Sequence, residues 1–430
     1  MRDSKGMTIE TVVKDGLCCG CGTCAGVCPN GAIEMKINTR KGIYLPYLNR
    51  KKCNDCSLCY RVCPGWEVNL TDFNKKLFPN TNYDPLAGCY LQCYLGYANK
   101  QDLRYNCASG GLITAFLLYA LAERLIDGAL VSKMDEKHPL EPKPFIARTK
   151  EDIISAARSK YCPVPANIAL REILKSEGRF AIVGLPCHLQ GLRKAEVSCP
   201  KLSKKIAFRI GILCARNISF QGTLYQLNRM GIEKDSIKEI SYRGNGWPGN
   251  LSIRLNDGSN VTEYYPRYYN NRFGSFVIPR CTLCVDGAAE LADASFGDAW
   301  LPEIKAKDQI GTSIVIARSN DVLNILLSAY EKGFLELEPT GINEVNRSQQ
   351  YFTWKKREIG ARYFLNKLMG RKTPEYFLAL PKPSMGDYIH SLLLSSQMFL
   401  ASCRSWWKAL DIFCYLIELA GKLKNKVLPK

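Results

Sequence analysis

Two copies of one cysteine run lie close together near the start of the chain. Cys18, Cys21, Cys24 and Cys28 are spaced C-x2-C-x2-C-x3-C with Pro29 next, and Cys53, Cys56, Cys59 and Cys63 repeat the spacing with Pro64 next. Bacterial two-cluster ferredoxins hold [4Fe-4S] clusters with such runs. Three thiolates within seven residues reach three irons of one cubane only if the backbone curls round it. The fourth cysteine then points away and ligates the other cluster. The spacing therefore predicts one cluster on Cys18, Cys21, Cys24 and Cys63 and a second on Cys53, Cys56, Cys59 and Cys28. Zinc needs only four thiolates and gains nothing from eight interleaved ones. Cys19 falls outside the spacing and reads as a packing residue. The prolines break the local helix, and Gly31-Ala32-Ile33 and Trp66-Glu67-Val68 lead out of each half. Such a module moves single electrons at a potential on the order of −400 mV.

A ferredoxin alone would end soon after the second run, yet this chain has 430 residues, enough for two or three domains. Its start, MRDSKGMTIETVVKDG, has no apolar signal region. No stretch reaches the ~18 uninterrupted apolar residues of a membrane span, and the longest, LITAFLLYALA (112–122), reads as a buried helix. A cytoplasmic location is expected. There, 20 cysteines argue for metal ligation and against a disulfide scaffold. The net charge of +19 suits an acidic partner, an anionic membrane or nucleic acid. No nucleic-acid fold signature accompanies it, so no nucleic-acid partner is expected.

KKLFPNTNYDPLAG, after Asn74, reads as a loop and a domain boundary. In YNCASGGLITAFLLYALAERLIDGALVS (105–132), Ser109 is expected to cap a helix opening at Gly110-Gly111, with a strand over 128–132. The turn offers backbone N–H groups to a phosphate, or is simply the start of a core helix. RFAIVGLPCHLQGLRK (179–194) reads strand, tight turn, helix, with Cys187 and His188 where turn meets helix. KIAFRIGILCARN (205–217) is a buried strand with Cys214 at its C-terminal end, and RCTLCVDGAAELADASFGDAW (280–300) brings Cys281, Cys284 and Asp298. Cysteines at the ends of adjacent strands lie where ligands bind in α/β sheets, so Cys187, Cys214, Cys281 and Cys284 make a plausible third thiolate site. The spacing leaves zinc, redox-active thiols or no site open. No GxGxxG, Walker A, HExxH or GxSxG is present, and three histidines, His138, His188 and His390, leave little room for histidine-based metal catalysis.

From about residue 90 to 340 the chain resembles the beta subunits of coenzyme F-420-reducing hydrogenases and formate dehydrogenases. The resemblance rests on ASGGLITAFLLYALAERLIDGAL, SKYCPVPA, RFAIVGLPCHLQGLRK, GILCARN, YRGNGWPGNL and CTLCVDGAAELADASFGDAW, in that order. It implies one FAD, a nearby [4Fe-4S] cluster on Cys187, Cys214, Cys281 and Cys284, and a reducible organic substrate against the flavin. It places the flavin at Ser109, Gly110 and Gly111, at Ser159, Lys160 and Tyr161, and at the Gly184 to Pro186 turn. The family often has Gly-Thr-Pro-Cys-Gln in the cluster loop, where this chain has Leu185 and His188. His188 and Lys160 are the weak catalytic candidates, and the catalytic residues are otherwise unknown. The substrate is coenzyme F-420 in relatives; a polysaccharide-pathway intermediate is an alternative.

KKREIGARYFLNKLMGRK (355–372) holds seven basic residues against Glu358. The last stretch is apolar at helical intervals, carries Trp406 and Trp407, and ends in Lys422, Lys424, Lys426 and Lys430. A docked helix with a solvated basic end is the plainer expectation, and peripheral membrane contact the other. The expected fold class is α+β to α/β. A 2[4Fe-4S] ferredoxin domain (1–75) precedes the flavin-binding half (76–170), the half with the third cluster (171–345) and a basic helical tail (346–430). The expected activity is oxidoreduction through three [4Fe-4S] clusters and FAD, fed by an acidic carrier such as ferredoxin or flavodoxin, or by a partner dehydrogenase. The alternative is a non-catalytic subunit that wires electrons between partner proteins.

Overall fold

A computed structural model describes residues 6–427, with side chains described as far as residue 420. The four lysines singled out at the C-terminus lie outside the described side chains. Around the cysteine runs the backbone makes only one-turn helices, Thr23–Gly26 and Leu58–Arg61. Left-handed residues start both, Gly22 at φ 83° and Ser57 at φ 56°, and give the curl that the spacing demands. Between the runs, Ile33–Asn38 and Ile43–Leu48 pair antiparallel. The stretch from Lys75, expected as loop, instead finishes the helix Leu70–Leu77, whose Asn69 cap accepts from the Asp72 N–H. Asn74, at the expected boundary, is buried and donates to Glu290 at 3.1 Å. The start of the loop was masked by this cap and long-range contact; the turn itself comes at Asn80, φ 61°.

The centre of the molecule is an eight-stranded mixed sheet. Its strands run in the order Leu335–Thr340, Gln92–Ala98, Ser313–Ala317, Ala294–Asp298, Ile206–Ile212, Phe180–Gly184, Gly128–Met134 and Pro142–Ala147. The four strands from Ala294–Asp298 to Gly128–Met134 are parallel to one another, and the flanking pairs are antiparallel. Parallel strands need both faces covered, and both are. The helix Leu112–Ala122 buries Phe116, Leu117 and Ala120 on one face, with Phe208 and Phe296 beneath. Leu170, Ile173, Leu189 and Leu192 cover Phe180 and Ile182 on the other. The expected halves meeting at residue 170 thus share one sheet. A smaller three-stranded sheet, Ile237–Ser241, Asn250–Leu255 and Asn260–Tyr264, stands beside it.

The cysteine-rich segment is packed tightly onto this body. A Cβ on Gly26 would lie 2.0 Å from the Asn167 carbonyl oxygen, and one on Gly191 2.3 Å from the Thr23 hydroxyl. Only glycine allows that approach. The Asn167 amide donates to Thr23 Oγ1 and to the His188 carbonyl, both at 2.8 Å, and its backbone N–H donates to the Cys21 carbonyl at 3.0 Å. Arg171 donates to the Ala25 carbonyl at 2.7 Å and Lys194 to the Cys63 carbonyl at 3.0 Å.

Three helices close the chain: Tyr351–Leu368, Met385–Ala401 and Trp407–Val427. The last two dock as the plainer expectation had it, with Trp407, Leu410 and Cys414 buried against Ile218, Tyr225, Phe273 and Phe276. Three of the seven basic residues in the run, Lys355, Lys356 and Arg362, are withdrawn from solvent. Lys355 and Arg362 are buried, Lys356 pairs with Glu290 at 2.6 Å, and Arg357 pairs with Asp387 at 3.1 Å. No helix among the described residues is long and apolar enough to cross a membrane.

Candidate functional site

Three groups of thiols lie in succession. Cys28, Cys53, Cys56 and Cys59 line one small cavity, and Cys56 is exposed. Cys18, Cys21, Cys24 and Cys63 are buried together. Burial pushes the thiols of Cys18, Cys24 and Cys63 up, and the charges of neighbouring cysteines push them further. Cys24 is near enough to Cys59 to feel its charge, which joins the two groups.

The four distant cysteines also converge. Cys187 sits in the first turn of the helix Pro186–Ser198, directly beyond the strand Phe180–Gly184. Cys214 follows the neighbouring strand Ile206–Ile212, and Cys281 and Cys284 lie at the 3-10 turn Pro279–Leu283. Burial raises the Cys214 thiol to about 12, and the charges of Cys281 and Cys284 add to this. Cys187 feels Cys281 in the same way. No cysteine among the described residues is in a disulfide. Among those residues, no three of His, Cys, Asp and Glu converge tightly enough for one metal ion.

Cys19 reads as a packing residue or bystander from its spacing, but it lies close enough to Cys21 and Cys187 for the thiols to perturb one another. It bridges the second and third thiol groups. Spacing could not reveal this, because the contact depends on how the cysteine-rich segment seats on the helix Pro186–Ser198.

Two buried cations face the thiols. Lys355 is 2% exposed, has no carboxylate ion pair among the described residues, and donates only to the Asp286 carbonyl, at 3.4 Å. Burial lowers its pKa, but Cys284, Cys214 and Cys281 together carry it above the ordinary lysine value. Arg280 donates to the Gly65 carbonyl at 2.8 Å and the Tyr376 hydroxyl at 2.9 Å. Burial opposes its charge, while Tyr376, Cys284 and Cys19 favour it and leave it raised. A buried cation needs a counter-charge, which these cysteines would supply as thiolates ligating a cluster. The residues present fit an anionic iron–sulfur group.

Beside Cys214 opens a cavity of about 430 Å³, within the range of cofactor sites. Ser109, Gly111, Ser159, Lys160, Tyr161, Gly184, His188 and Cys214 all line it, whereas Gly110 and Pro186 do not. It adjoins a groove of about 1350 Å³, sharing Arg158, Ser159 and Lys160 with it. One wall is aromatic: the rings of Tyr265 and Tyr269 stack with centroids 5.0 Å apart, and Trp300 stacks on Tyr265 at 5.9 Å.

The helix-capping expectation for Ser109 is corrected. The cap of Leu112–Ala122 is Gly111 at φ 76°, without a side-chain bond. Ser109 turns instead to the Thr312 carbonyl, 3.0 Å away. The helix therefore presents uncapped N–H groups at the cavity, where a phosphate would be favoured. A Cβ on Gly110 would meet the Gly96 carbonyl oxygen at 2.6 Å, so its role is to let the turn approach the sheet.

Both weak catalytic candidates are engaged. His188 accepts from the Leu185 N–H at Nδ1 (3.1 Å) and faces the Val164 carbonyl with Nε2 at 3.0 Å, which assigns the proton to Nε2. Burial lowers its pKa, so it is held neutral with no free donor. Lys160 donates to the carbonyls of Ala156, Ala157 and Arg158 at 2.5, 2.9 and 2.9 Å, closing the end of the helix Lys150–Ser155. Burial pulls its pKa down to about 7. Lys160 contributes charge to the cavity, without a free N–H.

A buried cation behind the cavity wall was missed from the sequence. Arg243 is 1% exposed, donates to Asp298 at 2.9 Å and to the Tyr161 hydroxyl at 2.9 Å, and leaves its Nε without a partner. Trp247 also donates to Asp298, at 2.7 Å. Arg243 lies within YRGNGWPGNL, which was read only as part of the resemblance. The signal was an arginine inside a glycine-rich turn that follows an apolar strand. The aromatic wall and the uncapped helix fit a flat, anionic cofactor such as a flavin nucleotide.

Cysteine quartets with buried cations beside them suit an iron–sulfur protein of the electron-transfer kind. Residues 17–65 match the 4Fe-4S dicluster domain. Residues 93–171 and 177–342 match the N-terminal and C-terminal parts of the coenzyme F420 hydrogenase/dehydrogenase beta subunit. The chain belongs to that beta-subunit family, with the dicluster domain fused in front. It is 27% identical over 272 residues to the coenzyme F420 hydrogenase subunit beta of Methanosarcina barkeri, covering 60% of this chain and 84% of that one. It is 26% identical to the coenzyme F420-dependent sulfite reductase of Methanocaldococcus jannaschii, across 72% of this chain but only 46% of the reductase. In the solved F420-reducing [NiFe] hydrogenase complex from Methanosarcina barkeri, one chain superposes with a TM-score of 0.55 at 25% identity, covering 70% of this chain and 99% of that one.

Proposed function

We propose that the chain is a flavin-dependent iron–sulfur oxidoreductase with three [4Fe-4S] clusters, on Cys18/21/24/63, Cys28/53/56/59 and Cys187/214/281/284, and one FAD in the cavity beside Cys214. When bound, the clusters supply one-electron transfer and the flavin couples it to two-electron chemistry on an organic substrate. One observation supports the reading: Cys214 lines the cavity and also lies close enough to Cys281 and Cys284 to feel their charge. Cys56 marks the end open to a redox carrier. The uncapped helix at Gly111 favours negative charge at the inner end, and Arg243 holds Tyr161 and Asp298 of the cavity wall in place. The net charge of +19 suits an acidic ferredoxin or flavodoxin at the outer end. Coenzyme F420 is one candidate substrate, through the relatives' names, and a polysaccharide-pathway intermediate is another.

Anaerobic purification is expected to give about twelve irons and one FAD per chain. Eight irons without flavin would overturn the assignment. The relatives named as subunits of larger enzymes favour a second reading, a wiring subunit. Turnover of a soluble acceptor by the isolated holoprotein supports the first reading, and its absence beside tight copurification with an enzyme supports the second.

Lys160 gives a pH test. Burial sets its pKa at about 7, so its cation is present below that pH and lost above it. Retention of an anionic ligand in the cavity is expected to weaken as pH rises through neutrality. Lys160→Met should remove that dependence and bind FAD at every pH as the wild type does at high pH, read by fluorescence titration. A wild-type profile kept in the variant would exclude Lys160 as its source.

A further inference from the structure

The C-terminal helices carry an apolar surface that the fold leaves uncovered. Along Met385–Ala401 the inward side buries Leu394 and Ala401, while Met385, Ile389, Leu392 and Phe399 face out, spaced by four, three and seven residues. That spacing makes one stripe along a helix. Trp407–Val427 repeats the arrangement, with Leu410 and Cys414 buried and Ile412, Leu416 and Leu419 outward. The stripes join at the turn, where the rings of Phe399 and Trp406 stand 4.7 Å apart. Leu368, 74% exposed, ends the preceding helix. Single exposed apolar residues need no explanation, but a contiguous patch of this kind marks an interaction surface.

The charges on these helices are sorted. The acids are paired: Asp387 with Arg357 at 3.1 Å, and Asp411 and Glu418 with Arg272 at 3.5 Å and 3.2 Å. Arg404 and Lys408, at the turn between the two helices, are exposed and make no ion pair among the described residues, and neither do the exposed Lys367, Arg371, Lys372 and Lys382 of the segment before them. We propose that this face is a docking surface for an anionic lipid bilayer, on which both helices lie flat. Exposed tryptophan, aliphatic stripes and unpaired lysine and arginine are the features of interfacial helices. A second copy of the chain fits worse, because a two-fold pairing would set the same basic rims against each other. The proposal stands apart from the redox reading and would survive its failure.

The test is cosedimentation of the full-length holoprotein with vesicles of phosphatidylcholine alone and of phosphatidylcholine with phosphatidylglycerol. Binding at least ~10-fold tighter to the anionic vesicles is expected, falling with added salt. Leu392→Glu with Phe399→Glu should abolish it, and Arg404→Glu with Lys408→Glu should reduce it to the level of neutral vesicles. Because all four side chains are exposed, thermal unfolding and iron content should stay unchanged. Absence of binding to both vesicles overturns the proposal. So does self-association, or a stable complex with an acidic protein, that the Leu392/Phe399 pair destroys while vesicle binding persists.

Discussion

Cys214→Ala is expected to remove about four irons and to disconnect the cavity from the outer thiols. In the proposed assignment Cys214 is the one ligand that also lines the cavity. Its loss breaks the third site and the route to the substrate together. The two ferredoxin-type sites draw all their thiols from other segments, so about eight irons should remain, and reduction by dithionite should still bleach them. Turnover driven by a one-electron donor should fall below detection. Flavin reduction by a direct hydride donor, if one is found, should persist. Cys19→Ala is the companion variant: Cys19 lies close to Cys21 and Cys187 but outside the assigned quartets, so it should keep all the irons. Iron and sulfide counts on the two variants, purified anaerobically, decide the matter. A full complement in Cys214→Ala would remove that cysteine from the ligand set.

How much of this was legible before any coordinates depended on the reach of each signal along the chain. Eight cysteines declare themselves because their spacing is local, and a one-turn helix started by Gly22 or Ser57 realises it. Cys187 and Cys214 were legible for a different reason. Each ends an apolar run that reads as a buried strand, and adjacent parallel strands deliver their C-terminal ends to one place. The buried cations gave no such sign. Lys355 stands in a run of basic residues that reads as a solvated helix face, and only the packing of Tyr351–Leu368 over the 3-10 turn at Cys281 and Cys284 turns it inward. Ser109 misled because serine before a helix ordinarily caps it, whereas Gly111 takes the left-handed position and leaves Ser109 to the neighbouring strand. Lys160 reads as a cofactor contact, whereas its three donors go to the carbonyls of the helix end two to four residues before it.

Lys355→Met should therefore change the electronic properties of the third site more than its assembly. Lysine at 2% exposure, in contact range of three thiolates' charge and without a carboxylate ion pair, is a fixed positive charge in a poorly hydrated place. Adding an electron to a cluster increases its negative charge, so a nearby cation stabilises the reduced form. One unit charge at ~6 Å and an effective dielectric of ~20 contributes ~3 kcal/mol, which for a one-electron couple is on the order of 100 mV. Methionine keeps most of the volume and removes the charge, so the third site's midpoint potential is expected to fall by about that amount. Iron content should stay near the wild-type value. Arg280, on the other side, donates to carbonyls of the ferredoxin segment, so Arg280→Met would disturb docking as well as charge and is the less clean variant. The measurement is a redox titration followed by electron paramagnetic resonance, in which the two outer sites serve as internal references. A downward shift confined to one signal assigns that signal to the quartet beside Lys355. An unchanged set of potentials with full iron would mean that Cys214, Cys281 and Cys284 hold no cluster, because a charge so close and so poorly screened cannot be silent to one.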